Sequence, residues 1–216
     1  MTTALILIFQ LAVFIFSVMI HEISHGYTAE KLGDPTARLA GRLTLNPLRH
    51  LDPFGSFILP IGLYILTQGA FIFGWAKPVP YNPMLLKNPT IAAAKIAAAG
   101  PVSNLVIAAV FGILIRILGF INIPAFGSIS LFFGLIVYIN ILLAVFNFVP
   151  IPPLDGSKVL VVFLPRTEKT VRAMAFLESY GFLFLLLFVF VFNGFSLILP
   201  LIDFMYGIFA GQPAVF

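Results

Sequence analysis

Cysteine is absent from this 216-residue chain, which excludes disulfides and every thiolate-bound metal site. Only three histidines and eight acidic residues are left to hold a metal ion. Charge is scarce as well. Charged residues make up 9% of the chain against 61% hydrophobic, with a mean hydropathy of +1.10. That balance excludes an ordinary soluble domain and predicts a single polytopic integral membrane domain over residues 1–216. The net charge of +4 does not point to nucleic acid, because the basic residues fall in loops beside apolar runs, where the positive-inside bias puts them. No internal repeat or low-complexity tract is visible. Met1-Thr2-Thr3 carries no basic residue and no small-residue cleavage site follows, so the first apolar run is expected to stay in the mature protein.

What is present gathers around His21-Glu22-Ile23-Ser24-His25. Residues four apart share a helix face, so His21 and His25 can both aim an imidazole at one zinc ion with Glu22 beside it. The run from Ala4 to Ile20 is apolar apart from Gln10 and Ser17 and uncharged, the composition of a membrane helix. Three ionisable groups at the end of such a span are costly unless something uses them. A catalytic zinc keeps three protein ligands as a rule, so a third donor must come from elsewhere.

The first span, Ala4 to Ala29, is expected to stop at Gly33-Asp34-Pro35. From Ala37 to Asn46, Leu39, Leu43 and Leu45 alternate with Arg38, Arg42 and Thr44, which predicts a short membrane-associated β-hairpin, with an irregular interfacial loop as the alternative. Its exposed edge could pair with an unwound substrate segment. His50, in the proline-bounded connector that follows, reads as a loop histidine at the membrane surface, with a role in the site as the alternative. The stretch from Phe54 to Trp75 is apolar but interrupted by Pro60, Gly62, Gln68 and Gly69. Ala92 to Leu118 and Gly127 to Phe148 read as full spans, and Ala175 to Phe192 as a further crossing. Phe195 to Phe209, which contains Pro200 and Asp203, is left open as a return crossing.

Three prolines between Pro150 and Pro153 stop the helix and present Asp155-Gly156 on extended backbone. Asp155 is therefore the candidate third donor. To reach the zinc depth, the spans ending in the two motifs must run in the same direction, with an odd number of crossings between them. Residues 54–75 are accordingly predicted to enter and leave on one side as a re-entrant segment. Under this topology Lys31, Arg38, Arg42, Arg49, Lys77, Lys87, Lys95, Lys158, Arg166, Lys169 and Arg172 share one side, and Arg116 alone lies opposite.

His21-Glu22-Ile23-Ser24-His25, Gly100-Pro101-Val102-Ser103-Asn104 and Asn147 through Gly156 together resemble the site-2 proteases, zinc metalloproteases that cut peptide bonds inside membranes. The resemblance implies one Zn2+ held by His21, His25 and Asp155, with Glu22 as catalytic base. It implies that Asn147 holds substrate backbone and that Asn104 supports the active-site region or contacts substrate. It further implies a membrane-protein substrate with a transmembrane helix, a surrounding lipid bilayer, and residence in the cell membrane of a prokaryote. No PDZ or CBS domain is visible. The rival reading is a membrane zinc-transport protein, which would need metal donors at more than one depth.

Overall fold

Twenty-nine residues from Thr3 to Lys31 form one helix, α1, about 43 Å long at the usual rise per residue. Its apolar side chains do not converge on a stripe. Leu5, Leu7, Ile8, Leu11, Phe14 and Phe16 remain between 46% and 67% exposed, as expected for a helix surrounded by lipid rather than water. The computed structural model describes residues 3–66, 68, 74, 76–121, 126–211 and 213. Within these, α1 is followed by α2 (Thr36–Leu39), a π-helical turn (Pro53–Ile58) running into α3 (Leu59–Leu66), α4 (Pro89–Ile121), α5 (Phe126–Phe148), α6 (Asp155–Val161), α7 (Glu168–Ser179), α8 (Gly181–Leu186) and α9 (Gly194–Ala210). Among the described residues three helices are long and apolar enough to cross a membrane, Ala4–Lys31, Pro89–Ile121 and Ile129–Phe148. The protein is a multi-pass membrane protein.

Helix α4 is the centre of the bundle and packs against α5, α1, α6 and α9. Its buried face joins α5 and α9 in one core of Ala108, Ile115, Val137, Ile141, Val145, Ile202, Tyr206 and Ala210. Small residues let the backbones meet: a Cβ on Gly112 would sit 2.7 Å from the Phe209 carbonyl group. In lipid, where helices gain nothing from escaping water, such close contact supplies much of the attraction between them. Arg116 closes the far end by donating to the carbonyls of Ile208 and Phe209 at the end of α9.

The expected β-hairpin does not form; no strand occurs among the described residues. Thr36–Leu39 is a helical turn, Gly41 takes a left-handed φ of +65°, and the Arg42 N–H bonds back to the Ala37 carbonyl. Carbonyls that a strand would offer to a neighbour are spent on side chains, as when His50 Nε2–H donates to the Thr44 carbonyl at 2.8 Å. The alternation of leucines was too short to impose a ladder, and an edge for substrate pairing is lost with it. His50 is also not a surface residue, being 3% exposed.

The segment from Ala175 to Phe192 is not one straight span either. The helix breaks at Tyr180, and its two halves meet at 73°. Charged and polar residues of α7 keep it unburied, whereas Gly181 and Leu185 of α8 are buried. Of residues 54–75, the part through Leu66 is helical. With the π-turn it makes fourteen residues, about 21 Å, shorter than the roughly 30 Å hydrocarbon layer. Residues 67, 69–73 and 75 of that stretch lie outside the described residues.

Candidate metal centre

Helix α1 supplies His21 and His25 from one face, and the first residue of α6 supplies Asp155. The two ring Nε2 atoms lie 3.0 and 3.2 Å from the same oxygen, Asp155 Oδ2, across a sequence separation of 134 residues in the case of His21. Ligand atoms of His21, Glu22 and His25 all lie within 4.8 Å of one another. Among the described residues no second cluster of three metal-ligating side chains occurs.

The protonation of these rings is fixed from the opposite side. In α5 the Asn140 amide donates to the Ile136 carbonyl at 2.8 Å and to Ser17 Oγ at 2.9 Å, so its oxygen must face the other way. That oxygen accepts from Asn104 Nδ2 at 2.9 Å, which turns Asn104 Oδ1 toward His21. His21 Nδ1 lies 2.6 Å from Asn104 Oδ1 and must be the donor. His25 Nδ1 likewise donates to the Ile96 carbonyl at 2.6 Å. With both Nδ1 positions carrying hydrogen, each neutral imidazole presents an Nε2 lone pair to Asp155 Oδ2. Two lone pairs against a carboxylate repel, so the trio is stable only with positive charge between them, supplied by a divalent cation or by protons on both rings. The donor set fits zinc.

Gly100 completes the cradle. A Cβ there would stand 2.5 Å from His21 Nε2 and 2.6 Å from Cε1 of both His21 and His25, so α4 presses bare backbone onto the metal-facing edges of the rings. Glu22 is held separately: its Oε2 accepts the Val79 N–H at 3.0 Å.

The sequence-derived set is thus partly gathered and partly redistributed. His21, Glu22, His25 and Asp155 come together. Asn104 is fully buried, its nitrogen donating to Asn140 and to the Ser17 carbonyl and its oxygen facing His21 Nδ1. Asn147 is half-buried at the end of α5 and donates to Leu143 of its own helix at 2.9 Å. The His50 ring is bonded instead to the Thr44 carbonyl. Asn140 and Ser17 were missed; the available signal was an amide in the middle of an uncharged span, expensive in lipid unless paired.

Residues 9–123 and 117–188 match the model of Peptidase family M50. The chain belongs to that family. It is the family of site-2 proteases that the three motifs resembled. The chain is 41% identical over 180 residues to a Bacillus subtilis (strain 168) protein named "Putative zinc metalloprotease YwhC", covering 81% of this chain and 77% of the relative. It is 33% identical to "Putative zinc metalloprotease Rip2" of Mycolicibacterium smegmatis, covering 82% of this chain and 65% of that one, and 31% identical to the protein of the same name from Mycobacterium tuberculosis (strain H37Rv), covering 84% and 66%. The chain therefore spans about two thirds of the length of its mycobacterial relatives. No solved structure matches it.

Proposed function

We propose that this M50 member is an intramembrane zinc metalloprotease that hydrolyses peptide bonds in or near the transmembrane segments of other membrane proteins, in the cell membrane of a prokaryote. The observation that carries the reading is the convergence of His21, His25 and Asp155 on one point, from a membrane helix and from the first turn of the distant helix α6. His21 stands ten residues before the end of α1, about 15 Å along its axis, which favours a scissile bond below the lipid surface.

His21 Nε2, His25 Nε2 and an Asp155 oxygen would hold the ion, with Asn104 and the Ile96 carbonyl fixing the rings. Zinc bound there polarises a substrate carbonyl and makes water acidic enough to attack it near neutral pH. Glu22 accepts the proton of the attacking water and returns it to the leaving amine. One of its oxygens is steadied by Val79 N–H, leaving the other for the proton. Asn147, at the mouth of the Pro150–Pro153 turn, is the residue we assign to substrate backbone. A substrate helix must unwind locally to expose a carbonyl, since its own hydrogen-bond ladder hides each peptide group.

The test is cleavage of a tagged single-span substrate in proteoliposomes. Glu22→Gln should retain zinc and lose cleavage, and Asp155→Ala should lose zinc as well. Cleavage by Glu22→Gln at the wild-type rate would refute the reading.

A further inference from the structure

Arg42 is buried at 6% exposure, yet its hydrogen-bond partners among the described residues are all backbone carbonyls: those of Arg49, Lys77 at 3.2 Å and Pro78 at 3.1 Å. A buried guanidinium facing only neutral acceptors is costly unless negative charge lies close by. The Pro78 carbonyl belongs to the same peptide group as the Val79 N–H, and that N–H donates to Glu22 Oε2. Cation, peptide dipole and carboxylate thus stand in series, the carbonyl end of the dipole toward the cation and the N–H end toward the anion. Hydrogen bonds linked through one peptide group polarise and strengthen one another. The strap is pinned from its other side too, because Lys77 N–H donates to the His50 carbonyl at 2.8 Å.

We propose that Arg42 is a positioning residue for Glu22, acting through the single peptide group of Pro78 and Val79. The guanidinium fixes the plane of that peptide, and the peptide fixes the carboxylate. Residues 42 and 78 thereby set the aim of the group that handles the proton. This rests on the proteolytic reading only for its rate consequence; the linkage itself can be observed without turnover.

Pro–Val occurs twice in the chain, at Pro78-Val79 and Pro101-Val102. Full-length protein labelled with carbonyl-13C proline and 15N valine therefore gives two carbonyl–amide NMR correlations, each reporting both ends of one peptide group. In detergent micelles, Glu22→Gln should displace the Val79 amide proton upfield. Arg42→Gln should displace the Pro78 carbonyl and move the Val79 amide in the same direction as Glu22→Gln. The Pro101-Val102 correlation should hold still and so report an intact fold. Arg42→Lys keeps the charge without the fork, should give a smaller displacement of the same sense, and carries the same test if Arg42→Gln does not fold. A Val79 amide left at its wild-type position by the Arg42 substitution overturns the inference. In the cleavage assay Arg42→Gln should lower kcat about tenfold or more at unchanged KM and zinc content, with partial recovery in Arg42→Lys. A kcat within twofold of wild type also overturns it. Unimpaired cleavage by Glu22→Gln would sink the proteolytic reading instead, and the spectra would still decide the linkage.

Discussion

Gly100→Ala puts the geometry of the metal cradle to its sharpest test, because two effects of opposite sign compete. In an ordinary helix the substitution stabilises by about 0.5–1 kcal/mol, since alanine loses less backbone entropy than glycine. Here the new methyl would stand 2.5–2.6 Å from three ring atoms of His21 and His25, about 1 Å inside the roughly 3.5 Å at which carbon contacts become favourable. Neither ring can swing aside freely, each being tied at Nδ1 by a 2.6 Å hydrogen bond, one to Asn104 and one to Ile96. Both anchors lie on α4, the helix that carries Gly100, so sliding α4 away drags the rings' supports with it. Overpacking of this kind costs about 1–3 kcal/mol, which exceeds the helical gain. A ring displaced by even a few tenths of an ångström leaves the roughly 0.2 Å tolerance of a zinc bond. The expected result is net destabilisation and a zinc affinity lowered about 10–100-fold. Chelator-competition titration of the purified protein measures the affinity, and thermal unfolding of the metal-free form measures the stability. A Gly100→Ala protein that is more stable than wild type and binds zinc within twofold of it would refute the close approach of α4 to the imidazoles.

Asn104→Ala removes the acceptor that sets the His21 tautomer and should weaken zinc binding about 10–100-fold while Glu22 stays in place; an affinity change below twofold in the same titration would show that another group orients the ring. Gly112→Ala would drive a methyl to 2.7 Å from the Phe209 carbonyl group and should lift α9 from α4, seen as faster proteolysis within residues 194–210 at unchanged zinc content; an unchanged digestion pattern would count against the contact. Asp34 governs an acid-side transition. Burial alone would raise its carboxyl, but the Thr36 hydroxyl and the N–H groups of Asn82 and Thr36 outweigh it and hold it below the usual carboxylate range. A depressed folded-state value means that the contribution to stability is complete above the unfolded value of about 3.9 and fades as pH falls through and below it. Wild type should thus lose Tm below about pH 4 more steeply than Asp34→Asn, and parallel profiles would contradict the assignment.

The amino-acid sequence by itself determined three membrane spans, the shared helix face of His21 and His25, and the proline stop before Asp155, although Asp155 opens helix α6 instead of lying on extended backbone. Each of these depends on local quantities: length of apolar run, rotation per residue, and the fixed φ of proline. Residues 37–46 show where local pattern stops informing. Alternating leucines are compatible with a strand, but a strand needs a partner, and Gly41 together with the carbonyl demands of Arg42 and His50 folds this stretch into turns. The break at Tyr180 was equally illegible, because an apolar run does not say which half will find buried neighbours.

Only the tertiary structure decided how the rings of α1 are oriented. Asn104 meets His21 across 83 residues, Asn140 meets Asn104 across 36, and Ser17 meets Asn140 across 123. The same holds for Arg42, read in the sequence as one more basic loop residue and found wrapped around the peptide that touches Glu22. Polar groups in a nearly uncharged chain must find partners wherever packing brings them. The sequence therefore names which groups need partners, and the packing of α1, α4 and α5 alone says which partners they get.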